Sequence, residues 1–595
     1  MMRNFYLILL LFVGFTSFGQ TTIKYQVNPF NLDHHEIKVT IDFSEIEKEN
    51  LEIRMPNSSP GRYAIHNFAK NLYGEKAYDQ EGNQLTIQRL SPSSWAVPVV
   101  NGAVRFEYIL FANHADGTYA GFDAQRIHMN MPAAFAYGVG LDNREVELYI
   151  DLTEHPEWSV ATQIPKTGEN TFRAPNYYYF YDSPTVAGSF RYANWKVEDQ
   201  TIEIAMMHDC SDEDFEKYVS WTQAIVEQER AVYGELPRFD YKKYTFICSY
   251  SPYVFRDAME HRNSTICTFP GSLEMYASYM ISSLAHEFFH SWNIERIRPA
   301  SLEPFDFDHA NMSGELWFGE GFTNYYEAVS QCRAGVMTYE SFLENASNVL
   351  NRVKNSPARE FRNPIQMSYN APYVDAAASI DATNYPNNFI SYYTYGELLG
   401  LALDLSLRSN LKKLTLDDYM QYVWSKFGKT EIPYTIDDLQ EALGNVTGDQ
   451  EFANNFFDQY IYQSALPDFE TLYDQFGIKI TLANPGKVNF GSLEINNSGY
   501  LTTPVLKGTD LYPTGIDKGD RILSLNDQVV TGNSSLKELI KSLKPNENYT
   551  LGFEKMGEKR EAQFSTSQDP TVSLQFEPNA GKKDIKNREA WLGPK

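Results

Sequence analysis

Hydrophobic and polar positions divide the chain into stretches of different period. From about residue 21 to 192, short runs alternate with period two, as in 37–43, 104–110 and 146–152, and Gly, Pro and Asn split them. Alternation of this kind places successive side chains on opposite faces of a sheet, so the stretch predicts antiparallel β structure arranged as a sandwich. An amphipathic helix is expected over 211–233, opened by Ser211-Asp212-Glu213-Asp214, an acidic first turn that the helix dipole favours. Residues 241–250 and 264–269 read as strands. A helix is predicted over 276–292, with Met280, Ile281, Leu284 and Phe288 at helical spacing. Helical period then dominates 337–457, with helices expected over 339–353, 393–407, 416–427 and 436–443. Past Leu466-Pro467 the pattern changes again, to a helix over 535–543, strands over 549–554 and 561–564, and a polar, flexible tail from Asn579.

A chain of 595 residues is too long for one core, so three or four domains are expected. A hydrophobic content of 43%, with 14% aromatic residues, supplies packed domains and argues against disorder. The formal net charge of −26 opposes attraction to nucleic acid or to an anionic membrane. Arg3, the apolar run 5–15 and the small residues Ser17 and Gly19 read as a secretory leader over 1–19, which places the protein outside the cytoplasm, periplasmic or secreted. The apolar run is short for a span, and no stable membrane insertion is expected after cleavage. The alternative is an N-terminal segment that stays as an anchor. Cys210, Cys248, Cys267 and Cys332 fit no zinc-finger spacing, and both a disulfide and buried free thiols remain open.

The chemistry lies late in the helix over 276–292, at His286-Glu287-Phe288-Phe289-His290. Four residues make about one helical turn, so the two imidazoles project from one face, one above the other. That suits two corners of a zinc tetrahedron, with Glu287 beside the metal, where it can take a proton from the attacking water. A hydrolytic zinc site needs a third protein ligand and one open position. Glu320 stands about thirty residues on, in the apolar and aromatic segment Leu316-Trp317-Phe318-Gly319-Glu320-Gly321-Phe322-Thr323. An unpaired charge buried there is costly, and a metal removes the cost.

With Glu320 following Trp317 and preceding Gly321 and Thr323, the set resembles the glutamate-zincins, thermolysin-like peptidases with a His, His, Glu metal set. The run from His286 to Pro299 further resembles peptidase family M61, the glycyl aminopeptidases. The M1 aminopeptidases have a shorter gap between second histidine and glutamate than the 29 residues found here. The resemblance implies one Zn²⁺ per chain on His286, His290 and Glu320, catalysis by Glu287, and peptide substrates with small N-terminal residues such as Gly or Ala. Residues 55–63 resemble a landmark of the M61 N-terminal domain, expected to wall the cleft without contributing chemistry. In M1 enzymes a Gly-x-Met-Glu-Asn strand binds the substrate's free α-amine. Asp257-Ala258-Met259-Glu260-His261 shares the Met-Glu core and departs at the first and last positions, so only Glu260 is carried over, against the alternative of a surface glutamate. A Tyr-x-x-Gly element that steadies the oxyanion in M1 aligns with Tyr393 and Gly396, while Tyr392 and Tyr395 stand close by. Asn324, one turn after Glu320, is either a partner of a ligand histidine or a solvated amide.

The run Gly515-Ile516-x-x-Gly519-Asp520-x-Ile522-Leu523-x-Leu525-Asn526 resembles a PDZ domain, a module that adds a peptide strand to its sheet edge. The usual carboxylate-binding loop is not recognisable near 490–493, which leaves peptide capture and a packing role both open. The expected fold is therefore multidomain α+β: leader 1–19, N-terminal antiparallel β-sandwich 20–192, thermolysin-like zinc peptidase domain 193–466 (a small sheet plus a helical half), PDZ domain 467–578 and polar tail 579–595. The expected function is an exported zinc aminopeptidase. A PDZ-gated zinc endopeptidase and a non-catalytic peptide-binding scaffold are the rivals.

Overall fold

The computed structural model describes residues 22–374, 381–410 and 414–595, so the leader read over 1–19 lies outside the described residues. The N-terminal domain is β-rich, built on an eight-stranded sheet and two four-stranded sheets around one core. Glu36–Phe43 shows why the period-two reading holds: Ile37, Val39, Ile41 and Phe43 are buried and the residues between them are not. The expectation of a purely antiparallel domain needs correction. Ile23–Asn31 pairs antiparallel with Glu36–Phe43 but parallel with Val146–Ile150. Parallel pairing requires a long crossover, and the whole length of chain between those strands supplies it.

The next unit opens with a five-stranded mixed sheet in the order Arg191–Val197, Gln200–Met207, Lys243–Tyr250, Ser264–Phe269, Asp257–His261. Asp257–His261 is thus an edge strand, antiparallel to Ser264–Phe269. The helix Asp212–Tyr233 is capped by Ser211, whose side chain accepts from the Asp214 backbone N–H. The helix Leu273–Phe289 packs on the sheet and ends at His290. A helical half follows, including Gly321–Arg333, Tyr339–Lys354 and Tyr392–Asn410. Gly321 and Gly396 allow the first and last of these helices to approach closely: a Cβ on Gly396 would lie 1.9 Å from the Trp317 carbonyl oxygen. All four cysteines are free, with Cys248 and Cys267 buried side by side on neighbouring strands.

The C-terminal third departs from the expected boundaries. A small domain with its own core, running from Val488 to Phe564, carries a four-stranded sheet and the helix Asn533–Ser542. It does not begin at 467 or extend to 578. Phe469–Asp474 and the paired strands Ile478–Leu482 and Val572–Phe576 belong instead to the core of the helical half. The small domain is therefore inserted between two strands that lie side by side. Residues 579–595 are likewise not a loose polar tail: Lys582–Leu592 is a helix, and Trp591 and Leu592 are fully buried in that same core. Two apolar residues at its end outweigh a polar average, because they cover a surface that would otherwise face water.

Candidate active site

His286 sits in the last turn of Leu273–Phe289 and His290 caps that helix, so their Nε2 atoms face each other at 2.9 Å. The opposite nitrogens are held from behind. His290 Nδ1 lies 2.7 Å from the Asn293 carbonyl oxygen, which only accepts, so Nδ1 carries the proton and Nε2 presents a lone pair. His286 Nδ1 faces Glu327 Oε2 at 3.6 Å. Asn293 also ties the end of this helix to the segment bearing Glu320, donating to the Phe318 and Gly319 carbonyls at 3.1 and 3.0 Å.

Glu320 lies at the junction of Leu316–Gly319 and Gly321–Arg333, 2% exposed. Its Oε2 is 3.1 Å from His290 Nε2 and 3.5 Å from His286 Nε2, and this buried oxygen has no hydrogen-bond partner among the described residues. The three donor atoms form a triangle with sides of 2.9, 3.1 and 3.5 Å. A zinc tetrahedron with bonds of about 2.0–2.1 Å has edges of roughly 3.3 Å. Two imidazole nitrogens and a buried carboxylate oxygen converging at these separations suit a divalent cation, and zinc fits the donor set.

The electrostatics agree. Burial alone would raise the Glu320 carboxyl, yet His290 and His286 hold it well below the usual carboxylate range. Burial opposes protonation of both histidines, but Glu320 pulls both above their ordinary range. Such mutual stabilisation marks a site that wants positive charge between its ligands.

Glu260, Glu287 and His290 form a second buried group whose polar atoms lie within 4.8 Å of one another. Glu260 projects from the edge strand Asp257–His261 and is 7% exposed, so it is not a surface glutamate. Burial raises its pKa, the His290 charge opposes, and Glu320 adds to the rise. Glu287 is pushed up to about 7, first by burial, with His286 countering and Glu260 reinforcing. Its Oε2 is buried without a hydrogen-bond partner among the described residues.

The Tyr393 ring lies 5.9 Å from the His286 ring, centroid to centroid. Tyr392 stacks behind it and is buried with Tyr63, Ile294 and Leu316, while Tyr395 points into the helical core. Of the three tyrosines, Tyr393 is the one beside a histidine of the site. Asn324 is not a histidine partner; its amide serves Glu397. That supporting role belongs to Asn293 and Glu327. Their sequence contexts carried little signal, one being a backbone carbonyl and the other a glutamate one turn beyond Thr323.

Residues 55–63 were expected to contribute no chemistry, yet Tyr63 donates its hydroxyl to Glu320 Oε1 at 3.1 Å. Arg62 pairs with Asp257 at the start of the edge strand. Gly61 fits so closely that a Cβ there would lie 2.0 Å from Met259 Sδ and 3.1 Å from either Glu260 oxygen. The N-terminal domain thus touches the site at two of its three acidic residues, Glu320 and Glu260.

Residues 24–189 match the family model described as Peptidase M61 N-terminal domain, and residues 279–399 match that described as M61 glycyl aminopeptidase. Among curated proteins no match is found. An aminopeptidase N family protein from Idiomarina loihiensis has the same fold, with a TM-score of 0.84 at 24% identity over 96% of this chain and 100% of that chain. An M1 zinc metallopeptidase from Deinococcus radiodurans gives 0.44 at 13% identity over 75% of this chain and 94% of that chain. A form of that enzyme bound to a Tyr-Ser-Ala substrate gives 0.44 at 12% identity over 75% and 95%.

Proposed function

The chain carries both domains of peptidase family M61, and from that premise we propose that it is a zinc aminopeptidase that removes small N-terminal residues, Gly or Ala, from peptides. One observation supports the reading above the others: charge balance. Glu260, Glu287 and Glu320 bring three carboxylates into one buried space. With all three ionised, a divalent metal ion and a substrate α-ammonium together balance them, and an N-blocked peptide leaves one unbalanced. Buried charge is stable when paired and costly when not.

In this reading His286, His290 and Glu320 hold Zn²⁺, one per chain. Bound zinc supplies Lewis-acid polarisation of the scissile carbonyl and activation of a water nucleophile. Glu287 takes the proton from that water and delivers it to the leaving amine, a role suited to a carboxyl poised near neutrality. Glu260, on the edge strand, binds and orients the α-ammonium, as a charge-assisted contact in a low-dielectric cleft. Tyr393 donates its hydroxyl to the oxyanion as it develops.

The inserted domain is read as PDZ-like. A cavity of about 1260 Å³ separates it from the catalytic body, with Phe490, Leu493 and Lys537 on one side and Phe389 and Thr394 on the other. A PDZ-like groove there would take the far end of a longer peptide, and the endopeptidase rival rests on this feature alone. The leader over 1–19 supports export to the periplasm or beyond. No helix among the described residues is long and apolar enough to cross a membrane.

The test is purified protein, with and without chelator, offered free-amine and N-acetylated peptides of one sequence. Chelator-sensitive release of the first residue from free peptides alone supports the reading. Internal cleavage of blocked peptides at an equal rate replaces it with the endopeptidase.

A further inference from the structure

We propose that Tyr63 is a positioning residue for the metal site: from the N-terminal domain, its hydroxyl fixes Glu320 and so completes the ligand set across the domain interface. The inference rests on the proposed metal site at His286, His290 and Glu320. Glu320 has two carboxylate oxygens with different surroundings. Oε2 faces both histidines, while Oε1 accepts the Tyr63 hydroxyl at 3.1 Å. The backbone fixes where Glu320 starts, but three side-chain torsions separate its Cα from the ligand oxygen. A hydrogen bond to one oxygen removes most of that freedom and leaves the other aimed at the histidines. His290 is held by the Asn293 carbonyl at 2.7 Å and His286 faces Glu327 at 3.6 Å, so Tyr63 is the third residue backing a member of the set.

Tyr63 is itself firmly placed. It is 1% exposed, its carbonyl accepts from the Asn311 backbone N–H at 3.2 Å, and it packs with Tyr392, Ile294 and Leu316. Before it, Arg62 bonds Thr118 within its own domain and Asp257 on the edge strand. Thr118 in turn donates to Asp257 at 3.3 Å, closing a three-residue clamp. Gly61 has a φ of +72° and no room for a side chain, so the turn seats directly on Met259 and Glu260. A turn held on both sides of its tyrosine is suited to positioning, because little motion is left to blur the contact.

The experiment compares zinc affinity of wild type, Tyr63→Phe and His290→Ala by competition with a chromophoric chelator, alongside melting of the metal-free forms. Phenylalanine keeps the ring and removes only the hydroxyl. Tyr63→Phe is expected to bind zinc about 10- to 100-fold more weakly, the usual effect of losing a ligand's supporting contact, with metal-free melting unchanged. Affinity within twofold of wild type, in a protein whose His290→Ala variant has lost zinc, overturns the positioning role. Undiminished zinc binding by His290→Ala overturns the metal site itself, a separate outcome. If Tyr63→Phe does not fold, Asp257→Asn carries the test, because it loosens the clamp without touching the tyrosine. Weakened zinc binding in that variant supports the proposal and unaltered binding overturns it.

Discussion

Trp591, four residues from the C-terminus, donates its indole N–H to the Tyr325 hydroxyl at 2.8 Å. Tyr325 lies just over one turn beyond Glu320, on the helix Gly321–Arg333. Around this contact the Arg333 guanidinium reaches the Trp591 carbonyl, and Lys595 pairs with the buried Asp417. Residues 591–595 therefore buttress the helix that opens at Glu320, the proposed third metal ligand. Trp591→Ala is expected to lose roughly 3–5 kcal/mol of stability, the usual cost of emptying a large buried aromatic site. Chemical denaturation measures it, and a loss below about 1 kcal/mol would show that the helix Lys582–Leu592 is not part of the core.

Excision of the inserted domain should behave in the opposite way. Leu482 and Val572 are opposite each other, and the Ala483 N–H bonds the Thr571 carbonyl at 2.9 Å. An Asn-Gly turn in place of residues 484–570 closes that pair as an ordinary hairpin. The shortened protein is expected to fold, bind zinc and hydrolyse short peptides near the wild-type rate. Truncation at 467 removes both strands and Trp591 and is expected to collapse. Equal behaviour of the two deletions would contradict the insertion topology.

Glu287→Gln should keep fold and zinc while kcat falls by about 10²- to 10⁴-fold, because an amide cannot accept the proton. Metal analysis and steady-state kinetics on the same preparation check both halves. Activity near wild type would move the base to another residue, with Glu260 the next candidate by proximity.

Glu260→Ala is expected to lower kcat/KM strongly for free-amine peptides at constant zinc content. N-acetylated peptides, poor for wild type, should lose little more. A uniform loss on both substrates would mean that Glu260 supports the site's architecture and not the α-ammonium.

Glu229 gives a pH signature. It is fully buried, takes a hydrogen bond from Ser330 at 3.0 Å, and burial holds its carboxyl well above the usual range. The folded state therefore keeps a proton that the unfolded chain releases near pH 4.3. Its contribution is complete below that pH and is lost as pH rises toward the raised folded value. Within that window the slope approaches about 1.4 kcal/mol per pH unit. Melting of wild type should fall with rising pH above about 5 more steeply than that of Glu229→Gln, whose amide oxygen still accepts from Ser330. Parallel curves would show that Glu229 is ionised in the folded protein.

The helix bearing His286 and His290 was readable because its pattern is local: two histidines four apart inside an apolar period. Glu320 was readable because a lone carboxylate among aromatics needs a reason. Tyr63 was not, since it meets Glu320 across 257 residues of chain and looks like any tyrosine after a turn. The insertion was hidden for the same reason. Ile478–Leu482 and Val572–Phe576 are ordinary short strands until their pairing is seen. At the C-terminus, averaging over a polar stretch concealed one tryptophan and one leucine whose burial decides its structure. Local period reports elements well; contacts distant in sequence leave no trace in it.

A domain that leaves and re-enters the body through neighbouring strands hangs from two adjacent cords. It cannot drift away or tumble, and a third tie fixes its attitude: the Lys507 backbone N–H donates to Asn387 Oδ1 at 2.7 Å, and the Lys507 ammonium pairs with Glu360. A peptide bound on that face would be kept beside the segment where the helix bearing Tyr393 begins. Its local concentration at the catalytic cleft would then be set by that spacing and not by how much peptide is dissolved outside.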